Sequence, residues 1–219
     1  MPLPIFAAPA NPPARPDTLN RTQAAARLGL NGSGVDKLVR AGILGLPIKT
    51  DEVDGLMGRD RLQVTAGELT VLRTDARAES DPAKYPMDDR RWVGFHVQHT
   101  DDELAESSLR WWRCDPGRVL DNELLVVTVA TFPVAVYRIL GKAKTIVRPD
   151  ETTSRHAFTG QLLGRVHPSM ATTFPQDTPG HLRLMARQIM DSRITVDSGG
   201  PIGYLEPSAP LTSAAEVPS

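Results

Sequence analysis

Apolar residues recur at helical spacing in the first quarter of the chain and at strand spacing through most of its second half. In 21–28, Ala24, Ala25 and Leu28 share one face behind Asn20, a capping residue. A second helix, capped by Asn31 or Ser33 and running to about 41, would bury Val35, Leu38 and Val39 and turn Lys37 and Arg40 outward, with Gly42 ending it. Thr50 or Asp51 can cap a third helix whose inner face is Val53, Leu56 and Met57. Residues 61–77 read as a hairpin about Ala66 and Gly67, or as a helix opening at Thr65 with Glu68 completing a capping box.

Beyond 90 the pattern alternates. Trp92, Gly94, His96 and Gln98 fall on one side of an expected strand, and Val93, Phe95 and Val97 on the other. Thr100 and Glu103 form a capping box for a helix over 100–114, stopped by Asp115, Pro116 and Gly117. The apolar run 124–140 contains Pro133 and Arg138 and is rich in valine, so it predicts two buried strands joined at Pro133 rather than a membrane span. A strand over 155–166 and a helix within 178–190, striped by Leu182, Met185 and Ile189, complete the pattern.

The fold class expected is α+β: a small helical helix-turn-helix domain, possibly winged, at 19–76, then a compact β-rich α+β domain at 91–195. Residues 77–90 are polar, carry two prolines and read as a linker. Six prolines within 1–18 predict a disordered arm and no signal peptide, and the Gly-, Pro- and Ser-rich segment 196–219 predicts a disordered tail. Cys114 is the single cysteine, which excludes an internal disulfide and suits a reducing cytoplasm.

Within 19–48 the spacing is more specific. Ala25 is small where two helices would touch, Gly29 lets the chain leave the first helix left-handed, and Val35 anchors the second beneath it. The chain carries a formal net charge of -1, yet from 19 to 50 Arg21, Arg27, Lys37, Arg40 and Lys49 face Asp36 alone. The run AAARLGL followed by VDKLVRAGIL resembles the compact helix-turn-helix of excisionases and MerR-type regulators, over about a quarter of the chain. That resemblance implies double-stranded DNA as partner. A wing has only 45–49 to occupy, with Lys49 as its phosphate contact. No diagnostic residue ties 91–195 to a family.

The chemistry of the remaining residues changes this picture little. No Walker loop, dinucleotide fingerprint, nucleophile elbow or zinc-protease helix is present, so no cofactor and no catalysis are expected. His96 and His99 would lie on opposite faces of a strand, which argues against a metal site with Cys114. Trp111 and Trp112, adjacent on a helix, would point about 100° apart. One is expected to fill the core and the other to lie on the sheet, the alternative being an exposed aromatic platform beside Arg110 and Arg113. Asp88, Asp89, Asp101, Asp102 and Glu103 sit at a linker and a helix start, where capping explains them.

The function expected is sequence-specific DNA binding, as a transcriptional regulator or excisionase-like factor, with Arg21, Arg27, Asn31, Ser33, Lys37, Arg40 and Lys49 as contact residues. So small a reading unit buries little surface, so a homodimer is expected. The alternative, from a different class, is a non-enzymatic interaction or assembly component.

Overall fold

A computed structural model describes residues 16–168, 171–197 and 199–208. Three short helices open it. α1 (Arg21–Leu28) begins at a reciprocal cap, in which the Asn20 side chain accepts from the Gln23 N–H and the Gln23 side chain accepts from the Asn20 N–H, both at 2.9 Å. It ends at Gly29, whose φ of 64° is cheap only for a residue without Cβ. α2 (Gly32–Arg40) is capped by Asn31, which accepts from the Gly34 N–H at 2.8 Å. α3 (Thr50–Met57) buries Thr50, Val53 and Leu56. The Thr50 hydroxyl bonds the Pro16 carbonyl instead of capping, so the N-cap falls to Lys49, which supplies no side-chain bond. Met57, expected on the inner face, is exposed. β1 (Thr18–Leu19) and β2 (Ile48–Lys49) pair antiparallel across the base of these helices.

The rest of the described chain is built on a six-stranded sheet. Its strands are β3 (Leu69–Thr74), β6 (Leu124–Val129), β7 (Phe132–Ile146), β8 (Arg155–Val166), β9 (Thr172–Thr173) and β10 (Ile202–Leu205), in the order β10-β3-β6-β7-β8-β9. All neighbours run antiparallel except β3 and β6, which are parallel. Their crossover holds a small ribbon of β4 (Ala78–Glu79) and β5 (Trp92–Val93), then α4 (Asp101–Leu109) and α5 (Pro116–Asp121). α6 (Gly180–Met190) packs on β7 and β8 through Leu182, Ala186, Ile189 and Met190, leaving Met185 exposed. No helix among the described residues is long and apolar enough to cross a membrane.

The mixed α and β content agrees with the pattern, and several expected elements do not. Residues 61–77 hold one strand, β3, which pairs with two distant segments instead of folding back on itself. The strand expected at 91–99 stops at Val93, because Gly94 turns to φ 85° where a Cβ would meet the Ala76 carbonyl oxygen at 2.6 Å. α4 ends at Leu109, and Arg110 is extended (φ -138°, ψ 154°). Trp111 and Trp112 therefore project from extended chain, and both are buried, at 2% and 7% exposure. Trp112 exchanges backbone hydrogen bonds with His156 at 3.0 and 2.9 Å. Asp115 does not merely stop a helix; it caps α5 by accepting from the Gly117 and Arg118 N–H groups. β6 and β7 turn at Ala130 and Thr131, both at positive φ, while Pro133 sits inside β7 beside a bulge. The segment read as a linker carries β4 and two buried charges, Asp88 and Arg90. The tail read from 196 returns as β10, and 1–15 and 209–219 lie outside the described residues.

One buried cluster runs without interruption from Leu28, Leu38 and Leu44 into Leu72, Val126 and Val136, so the helical unit and the sheet share a core. Backbone bonds lock the seam: the Val97 N–H donates to the Ala41 carbonyl at 3.0 Å, and Arg193 reaches the Leu28 carbonyl at 2.9 Å.

Candidate nucleic-acid interface

The outer face of α2 is assembled by elements that are each locally determined. Gly29 reverses the chain, Asn31 fixes the start of the helix, and burial of Val35 and Leu38 forces Ser33, Asp36, Lys37 and Arg40 onto the other side. Ser33 is tied to the same cap, its Oγ donating to Asn31 Oδ1 at 2.8 Å.

The seven expected contact residues separate into two groups. Arg21 of α1 joins the α2 face through Asp36, with Nε 2.7 Å from Oδ1, and both side chains remain at least half exposed. Asn31, Ser33, Lys37 and Arg40 belong to α2 and its cap. Arg27 turns instead toward α3, 3.3 Å from Asp54. Lys49 lies on that side too, in a groove of about 640 Å3 lined also by Asp17, Asp51 and Asp54. Three carboxylates beside one ammonium make this groove unfavourable for phosphate.

A carboxylate that the local charge count missed also reaches the first group. Lys37 Nζ lies 2.5 Å from Asp75 Oδ1, just past the end of β3. Asp54 and Asp75 fall outside the basic segment, so its apparent excess of positive charge is partly neutralised by the fold; no feature of the local sequence signals that pairing. Arg40 is exposed and makes no ion pair among the described residues. Exposed ion pairs such as Arg21 with Asp36 hold their partners by about 0–1 kcal/mol, weakly enough to exchange a carboxylate for a phosphate.

The other candidate residues are accounted for by structure. His96 and His99 lie in a turn, the His99 N–H bonding the His96 carbonyl at 3.0 Å, and not on a strand. Burial, with Arg77 nearby, pushes the His99 imidazole down to about 4 and keeps it neutral. Burial together with Asp115 pushes the Cys114 thiol up to about 11, which removes it as a thiolate ligand or nucleophile at neutral pH. No group of three or more His, Cys, Asp or Glu among the described residues is arranged to hold a metal ion. Asp88 binds Arg90 and Arg148, Asp89 binds Arg110, and Asp101 binds Arg165 at 2.6 Å. Glu103 caps α4 and accepts from the Trp92 indole at 3.0 Å. These acids serve the fold. Comparison with known proteins returned no matching family model, no matching curated protein and no matching solved structure.

Proposed function

We propose that this protein binds double-stranded DNA through the face of α2, as a transcriptional regulator or excisionase-like factor in the cytoplasm. The observation that carries this reading is a convex helix face presenting Asn31, Ser33, Lys37 and Arg40, set at a crossing that Ala25 and the left-handed Gly29 make tight. A helix so mounted can enter a major groove with its first turn toward the bases. Arg21, Lys37 and Arg40 hold phosphates in this reading, while Asn31 and Ser33 stand nearest the base edges. Arg27 and Lys49 have a smaller part, because both are turned to the acidic side of α3. So small a surface calls for a second copy on the DNA, and the reading assigns the protein no catalysis and no cofactor.

An assembly role is the second reading, and one observation favours it. Leu184 and Met185, consecutive in α6, are 68% and 45% exposed and leave apolar side chains uncovered on that helix. Capture of sheared genomic DNA on the purified protein separates the two readings. Enrichment of a defined sequence is expected; fragments recovered at random would transfer the weight to a protein partner at α6.

A further inference from the structure

β8 pairs with β7 along nearly its whole length, but on its other edge it is paired only near its two ends. Trp112 exchanges backbone hydrogen bonds with His156 at one end, and Thr173 stands opposite Arg165 at the other. Between them, over 157–164, no strand lies on that edge among the described residues. The ladder itself gives the direction of the free groups. Both backbone groups of His156 point to Trp112, so by alternation those of Phe158, Gly160 and Leu162 point to the same edge. β7 has the matching phase: Ile139, opposite Gly160, gives its N–H to the Glu123 carbonyl, away from β8. Gly160 and Leu162 are half-buried rather than buried, so their N–H and C=O groups form an open stretch of sheet edge.

Beside this stretch runs an open groove of about 370 Å3 between α4 and β8, with Asp102, Ala105, Glu106 and Leu109 on the helix side and 158–160 on the strand side. Arg110 also reaches it, but Asp89 pairs that guanidinium at 2.9 Å. Asp102 and Glu106, one helical turn apart, form no ion pair among the described residues, which leaves the groove acidic. We infer that this edge takes up an extended basic peptide of a partner protein as an added strand. The peptide backbone pairs with Gly160 and Leu162, and its lysine or arginine side chains, on alternate residues, meet Asp102 and Glu106. Charge decides against a second copy of this chain as the occupant. Two copies joined antiparallel at this edge would set both α4 helices on one face of the joined sheet and bring like charges together. The inference is independent of the role given to α2.

The test is a titration of the isotope-labelled full chain with an acetylated and amidated hexapeptide that alternates lysine and valine. Its comparisons are the same peptide with glutamate for lysine, and the lysine peptide N-methylated throughout, which cannot donate from its backbone. Saturable amide shifts at Gly160 and Leu162 are expected, with a Kd on the order of 100 μM, and hydrogen exchange of these two amides should slow in the complex. Both comparison peptides should bind at least about tenfold more weakly. The isosteric pair Asp102→Asn, Glu106→Gln should weaken the lysine peptide about tenfold, whereas Asp121→Asn, an exposed position at the end of α5 outside the groove, should leave it unchanged. No saturation by the lysine peptide up to about 10 mM, or saturable shifts that spare Gly160 and Leu162, would overturn the site. An N-methylated peptide that binds as tightly would overturn strand addition, and a glutamate peptide that does so, or a double variant that binds like the parent, would overturn the basic partner.

Discussion

At the scale of single residues, Thr131 and His99 each hold an unfavourable state that the surrounding structure imposes. Thr131 occupies a left-handed conformation in a two-residue turn where glycine would be unstrained. Relief of that strain exceeds the extra chain entropy of glycine, so Thr131→Gly should raise stability by about 1 kcal/mol, measured as an upward shift of the urea midpoint at unchanged slope.

His99 is buried beside Phe95, and Arg77, His96, Glu103 and Arg165 surround it. Its folded pKa of about 4 lies below the ordinary 6.5. As pH falls through 6.5 the unfolded chain takes up a proton that the folded one refuses, so stability is full above that value and declines until the folded imidazole protonates near 4. The loss across this window should be roughly 3 kcal/mol. His96, whose pKa is also lowered chiefly by burial, adds in the same direction. Urea unfolding at pH 7 and pH 5 checks it, and His99→Met should flatten the difference. A parent protein equally stable at both pH values would show that the imidazole is not buried neutral.

At the scale of elements, what was legible in the sequence was what is decided locally. α1 was readable to its ends because Asn20, Gln23 and Gly29 cap it within a few residues, and β8 was readable because its apolar run is bounded by polar chain. Elements whose partners lie far along the chain were not. β10 sits in a segment of Gly and Pro that has no pattern of its own and becomes a strand only because β3 offers an open edge. Trp111 and Trp112 continue a sequence suited to a helix, yet pairing with His156 and burial of both rings outweigh that weak preference. The candidate face divides the same way. Its helix and cap follow from 29–41, whereas the Asp75 partner of Lys37 comes from the end of a sheet strand. Asn31 is the cap on which α2 depends, so Asn31→Ala should cost about 1 kcal/mol by removal of its bond to Gly34. Thermal unfolding measures that cost, and an unchanged midpoint would mean that the first turn of α2 is held by packing alone.

At the scale of the whole molecule, the shared core and the bonds of Val97 and Arg193 to the helical unit leave α2 no freedom to swing as an independent head. Under the proposed DNA-binding role, a helix so fixed would reach a second half-site through another copy of the chain rather than through a flexible tether.

The most direct measurement is the salt dependence of affinity for the best genomic fragment, followed by fluorescence anisotropy, for the parent and for the Lys37→Ala, Arg40→Ala double variant. If α2 holds the phosphates, affinity falls steeply as salt rises, and the double variant, still folded, binds more weakly with a log–log slope shallower by about two, one for each cation removed. Saturable binding whose slope is the same in both proteins would place the DNA on another face, and the absence of salt-dependent binding altogether would contradict a DNA-binding role for this protein.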